Sequence, residues 1–376
     1  VPIFDVRHQE RAQRILLRAL AGGRVPHAYV FHGPRGVGKR MLAERLAMRL
    51  LCPRPVEVAP PEEWRGLPAD VPVLDACGDC DDCRAVPAGS HPDLHVIHRG
   101  LHAFHPDPEV RRRKGIELGI DVIRHFVIEA AGRQPMRGRA KVFILDEAER
   151  LNEESQNAML KTLEEPPPAT FIVLVITSID RLLPTIRSRC HPVPFRALPI
   201  EFVEARLREV RPDLPSDVAT YLARLSEGRL GVALDFAEEQ VPQMKRTLGE
   251  QLAGLAPQTI DETARVLGDL AAQYAKRIRQ RDEDLPETEA GRIGIRALLA
   301  AAAAFYMDAQ RRKVGAATLP INVDQPAVVD ALVRRHSTRG LQRAVREIVA
   351  AERAVDANVN LQLVLESLAT RLAGLS

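Results

Sequence analysis

The sequence predicts an α/β nucleotide-site domain followed by an all-α region, and three observations carry that prediction. A glycine-rich loop, Gly33 to Arg40 (GPRGVGKR), lies between an apolar run and a segment with helical periodicity. A second apolar run, Lys141 to Leu145 (KVFIL), ends on the carboxylate pair Asp146 and Glu147. Beyond Pro199 the apolar residues recur at helical spacing.

Taken in order, Ala28 to Phe31 (AYVF) predicts a short strand. Arg40 to Leu51 predicts a helix with Met41, Leu42, Leu46 and Leu50 on one side. Strand, loop and helix is the order that a phosphate-binding loop requires. Gly33, Gly36 and Gly38 let backbone N–H groups wrap a phosphate, and Lys39 reaches the β and γ oxygens. The next position normally supplies a hydroxyl to Mg²⁺, but here it is Arg40, and a guanidinium does not ligate a cation. Mg²⁺ is therefore not expected, while ATP or ADP remains compatible with the retained Lys39. Arg40 is expected to reach Asp146 as a bidentate pair that fills the space of a hydrated metal. Its alternative is to point to solvent from the first helical turn.

The strand predicted over Lys141 to Leu145 places Asp146 and Glu147 at a C-terminal strand end. There Asp146 holds Mg²⁺ and Glu147 polarises water in active enzymes of this type. A helix follows over Glu153 to Leu163, and Phe171 to Ile176 (FIVLVI) is another buried strand. Thr177 and Ser178 then fall within reach of a γ-phosphate, or else cap the next turn.

Cys52, Cys77, Cys80 and Cys83 give the spacing C-x24-C-x2-C-x2-C. Four thiolates so spaced suit a tetrahedral, structural Zn²⁺; a redox CxxC is the plainer alternative. Cys190 stands apart and reads as a small buried hydrophobe. His91, His95, His98, His102 and His105 recur at helical intervals, yet Pro92, Gly100, Pro106 and Pro108 interrupt any helix. A strand end and an exposed loop are expected, without a metal.

Composition narrows the function classes. A chain of 376 residues with 27% charged residues is long enough for two or three domains. The net charge of +3 leaves nucleic-acid contact to a local patch, and 4% aromatics argues against base-stacking platforms. Apolar runs such as Phe171 to Ile176 fall short of a membrane span, and the first residues carry no secretory pattern, so a cytoplasmic location is expected.

HAYVFHGPRGVGK, the cysteine-rich insertion, SHPDLHVI, ILDEAERLNEESQNAMLKTLEEPPPATFIVLVIT, LLPTIRSRC and NLQLVLESLATRL together resemble the bacterial clamp-loader subunits of the AAA+ superfamily. The resemblance implies an AAA+ P-loop parallel-sheet domain with a zinc-binding insertion over 1–197 (the four-cysteine module being 52–83). A small helical lid over 198–240 and a C-terminal helical collar over 241–376 would follow. It also implies one place in a five-membered ring with motor (gamma/tau) and delta subunits, acting on a sliding clamp and primed DNA within a DNA-directed DNA polymerase (nucleotidyltransferase) holoenzyme. Motor subunits carry Thr after the loop lysine and a later arginine that senses the γ-phosphate. Here Arg40 and Gly231 occupy those positions. The resemblance is thus to a non-motor subunit without catalysis of its own. In such a subunit Arg189 reaches in trans to a neighbour's ATP, where an arginine finger contributes roughly 10³ to 10⁵ in rate. The alternative for Arg189 is a pair with a local carboxylate. The competing functions are an active ATPase motor of the same superfamily and a zinc-bearing nucleic-acid-binding module.

Overall fold

The structure, a computed structural model, describes residues 3–59, 73–113, 115–137, 139–357 and 359–375. Residues 60–72 of the 52–83 module therefore lie outside the described residues. The chain divides into two compact units, Val1–Leu198 and Pro199–Ser376.

The first unit is built on five strands: β1 (Ala28–His32), β2 (Leu94–Ile97), β3 (Lys141–Leu145), β4 (Thr170–Ile176) and β5 (His191–Pro194). All pair in parallel, in the order β2-β3-β4-β1-β5. Near-continuous apolar runs are what a sheet covered on both faces demands. Val142, Phe143, Ile144 and Leu145 are fully buried, and each such side chain contributes roughly 1.5–3 kcal/mol. Because the strands are parallel, their C-terminal ends share one edge. That edge collects the glycine loop after β1, Asp146 and Glu147 after β3, and Thr177 after β4.

Helices α1 (Glu10–Ala21), α2 (Lys39–Leu51) and α3 (Glu153–Glu164) belong to the same unit. Helix α2 buries Leu42, Ala43, Leu46, Ala47 and Leu51. The face expected to include Met41 and Leu50 is corrected, since Met41 is 42% exposed and Leu50 half-buried. Alanines complete the buried stripe instead, letting the helix sit close to the sheet. Helix α3 starts at Asn152, whose side chain accepts a 2.9 Å hydrogen bond from the Ser155 N–H.

The histidine expectation also changes. His95 lies inside β2, its ring stacked on Phe143 at 4.7 Å, and His91 and His102 are buried; only His98 of the five is exposed. The expected strand end is present as β2, but the segment after it is less exposed than a solvated loop, with His102 buried and His105 half-buried.

The second unit is helical: α4 (Ile200–Val210), α5 (Ser216–Leu225), α6 (Leu230–Glu238), α7 (Val241–Gly254), α8 (Ile260–Arg281), α9 (Glu287–Lys313), α10 (Pro326–Arg335), α11 (Thr338–Asp356) and α12 (Leu361–Ala373). From Pro199 on, the expected lid (198–240) and collar (241–376) fall within one compact unit. A reason is visible in Lys245 of α7, whose ammonium is fully buried. It pairs with Asp324 and sits 3.5 Å from the ring centroid of Tyr221 on α5. Gly231 lies in the first turn of α6, and only residues 282–286 separate α8 from α9, whose first turn carries Glu287 and Glu289.

Helix α9 packs against α8 and α11. At the α8–α9 crossing a Cβ on Gly294 would stand 2.4 Å from the Ala271 carbonyl oxygen, so only glycine permits this approach. By length and composition α9 is the one described helix apolar enough to cross a bilayer, which corrects the expectation that no stretch reaches that length. Its buried Leu298, Ala302 and Phe305 instead make it the core of the helical unit.

Candidate functional site

A pocket of 290 Å³ opens at the C-terminal edge of the sheet, lined by Gly36, Gly38, Lys39, Arg40, Asp146, Glu147, Glu149 and Thr177 among others. The loop reaches it through three glycines with positive φ, Gly33 at +142°, Gly36 at +76° and Gly38 at +99°. At Gly33 the requirement is also steric, because a Cβ there would lie 2.4 Å from the Phe195 carbonyl oxygen. Lys39 opens α2 and folds back, its ammonium donating to the carbonyls of Gly33 at 2.7 Å and Pro34 at 2.6 Å. Burial pushes its pKa down to about 8, against the pull of Glu149 and Asp146.

Arg40 does meet Asp146, but with one hand. Its Nη1 donates to Asp146 Oδ2 at 2.9 Å, while its Nε donates to Glu44 Oε1 at 3.0 Å. The expected bidentate pair is corrected to a bridge, because Glu44 lies one turn on along α2 and captures the second donor. The guanidinium nevertheless stands against the carboxylate that a metal would use.

Glu147 takes a left-handed backbone, φ 51°, and its carboxylate accepts from Arg150 Nε at 3.0 Å with Arg99 Nε at 3.4 Å. Both guanidiniums occupy the Glu147 carboxylate within the chain. Thr177 donates to Glu149 Oε1 at 3.0 Å, and Ser178 caps the following turn through the Asp180 N–H. Thr177 therefore lines the pocket, whereas Ser178 takes its capping alternative. Sequence reasoning missed Glu149, Arg99 and Arg150. The spacing Asp146-Glu147-Ala148-Glu149 held a signal, since the helical turn Ala148–Arg150 carries Glu149 into the pocket.

A family model described as DNA polymerase III, delta subunit, matches residues 8–199, and one described as its C terminal matches residues 299–374. The chain belongs to the DNA polymerase III delta-subunit family. It is 36% identical over 213 residues to DNA polymerase III subunit delta-prime of Pseudomonas aeruginosa, covering 55% of each chain. It is 29% identical over 217 residues to subunit delta-prime of Bacillus subtilis, covering 58% of this chain and 54% of that one. Subunit tau of Escherichia coli is 31% identical over 262 residues, or 69% of this chain and 36% of that one. The chain thus spans about half the length of the delta-prime relatives, as the 55% and 54% coverages state.

In this delta-family chain Arg189 lies just before β5, and its guanidinium is occupied within the chain. Nη2 pairs with Glu164, and Nη1 donates to the Thr185 carbonyl at 2.8 Å and the Ser188 hydroxyl at 3.2 Å. Cys190, next to it, is buried, and burial pushes its thiol up to about 12, as an inert core cysteine requires.

The four cysteines converge. Their sulfurs lie within 4.8 Å of one another, the one such cluster of potential ligands among the described residues. Cys52 Sγ to Cys77 Sγ is 3.6 Å and Cys77 Sγ to Cys83 Sγ is 3.8 Å. Sulfurs on a tetrahedron at 2.3 Å from zinc are ~3.8 Å apart, so the donor set fits that ion. The backbone N–H groups of Cys77 and Cys83 donate to Cys52 Sγ and Cys80 Sγ, each at 3.4 Å.

Proposed function

We propose that this chain is a non-motor, delta-prime-type subunit of the DNA polymerase III clamp loader, helping load a sliding clamp onto primed DNA from a cytoplasmic, hetero-pentameric assembly with motor and delta subunits. The observation that carries this reading is Arg40 against Asp146: a cation built into the chain opposes the metal that phosphoryl transfer needs. Lys39 and the glycine loop keep the means to hold a phosphate, so ATP or ADP is a ligand this reading tolerates, without turnover.

Arg189 is the residue through which such a subunit acts, by reaching the triphosphate held by a neighbouring motor subunit. A guanidinium at the transferring γ-phosphoryl group stabilises charge that develops in the transition state. Cys52, Cys77, Cys80 and Cys83 hold a structural Zn²⁺, which braces the insertion between α2 and β2; a closed sulfur shell leaves no open position for catalysis. The test is reconstitution with motor and delta subunits. Wild type restores DNA-stimulated ATP turnover, and Arg189→Ala assembles but fails to do so; an unchanged rate removes Arg189 from this role.

A second reading is favoured by the identity to subunit tau, which extends over 69% of this chain: an active motor. Phosphate release by the purified chain separates the two, since the motor reading requires turnover and the first reading requires none.

A further inference from the structure

We propose that Glu164 is the positioning residue for Arg189, holding its guanidinium in a parked state from which a neighbour's phosphate withdraws it. This rests on the reading of Arg189 as a trans donor and adds the mechanism by which its delivery depends on nucleotide. Glu164 is the last residue of α3, and Arg189 follows the short helix Pro184–Arg187, so two separate elements set the pair.

The geometry is an unequal grip. Glu164 engages Nη2 alone, Nη1 is spent on Thr185 and Ser188, and Nε is buried with no hydrogen-bond partner. A guanidinium offers Nε and Nη2 as a parallel fork, which a phosphate with several oxygens fills and this carboxylate leaves half empty. Swinging the side chain off Glu164 exposes both donors of that fork together. With side chains 32% and 47% exposed, the pair is also open to water and therefore weak enough to exchange. Glu164 thus competes with phosphate for one cation: it keeps the finger off an empty interface and yields when a triphosphate arrives.

The test uses the reconstituted clamp-loader complex carrying this chain as wild type, Glu164→Gln, Arg189→Ala or both, with assembly checked by gel filtration. Glu164→Gln keeps an acceptor but removes the competing charge. It is expected to lower the KM for ATP about two- to five-fold, the range an exposed ion pair supplies, with little change in kcat. In the Arg189→Ala background the same change should do nothing. If Arg189→Ala lowers turnover but Glu164→Gln leaves KM unchanged, the parked state is wrong and the trans role stands. An effect of Glu164→Gln that persists without Arg189 also overturns the proposal, because Glu164 then acts on the fold. If Arg189→Ala changes nothing, both ideas fall.

Discussion

Arg40 Nη1 lies 2.9 Å from Asp146 Oδ2, joining the first turn of α2 to the end of β3 across 106 residues of sequence. A guanidinium in that position supplies a fixed positive charge where a metal-dependent site would recruit a mobile one. Its second tie, to Glu44, keeps it from turning away.

Arg40→Thr restores the hydroxyl and frees Asp146. Isothermal titration with ADP should then show magnesium-dependent binding, tighter than wild type by about tenfold or more, as one charge-assisted metal contact allows. Arg40→Lys removes the same fork but adds no ligand, so it should show no such gain. Equal affinity in the presence and absence of magnesium for Arg40→Thr would mean that Arg40 does not displace the metal.

Phosphate binding should weaken with rising pH. Burial lowers Lys39 to about 8, so its ammonium is present below that pH and lost above it. Affinity for inorganic tripolyphosphate, followed by competition with a fluorescent nucleotide, should fall between about pH 7 and about pH 9, the window that brackets this value. Lys39→Arg should flatten the profile, because guanidinium stays charged throughout; a flat wild-type profile sets Lys39 aside as the anion partner.

The buried pair in the helical unit makes a separate stability prediction. Lys245→Met leaves Asp324 buried without a counter-charge and should cost about 3–5 kcal/mol in urea unfolding, while Lys245→Met with Asp324→Asn recovers a large part of it. The folded pKa of Lys245 is lowered to about 8 from the ordinary 10.5, burial outweighing Asp324. Between those values the unfolded chain keeps a proton that the native chain has lost. The Lys245 contribution to stability therefore rises with pH across that window, and Lys245→Met should remove the rise.

Zinc analysis of the purified chain should give about one ion, the content a closed four-sulfur shell requires. Cys83→Ser should lose it, and a strong chelator should lower the melting temperature of wild type but not of Cys83→Ser. A metal-free chain with the same melting temperature as the metallated one would make the cluster a set of reduced thiols.

Much of this was legible in the order of residues. The glycine loop, the apolar runs of β1, β3 and β4, and the two-residue gaps between Cys77, Cys80 and Cys83 are local patterns with direct physical consequences. Strand β2 was only half legible, because His95 and the half-buried Leu94 and Val96 interrupt the run that a fully covered strand would show. The Met41 error came from periodicity alone, which finds a stripe but not whether an open pocket lies beneath its first turn.

Partner choice was legible only in part: Arg40 was expected to reach Asp146 and does, but its second partner, Glu44, was not foreseen. The sequence by itself determined that Lys39 follows a phosphate-binding turn, that Arg40 follows Lys39, and that four cysteines have ligand spacing. Only the tertiary structure decided that Arg40 divides itself between Glu44 and Asp146, that Arg99 and Arg150 hold Glu147, that Glu164 holds Arg189, and that Lys245 is buried over Tyr221. The physical reason is range. Glycine dihedrals and apolar periodicity act over a few residues, whereas an ion pair acts over a few ångströms, and which charges come that close is settled by how the sheet and helices pack.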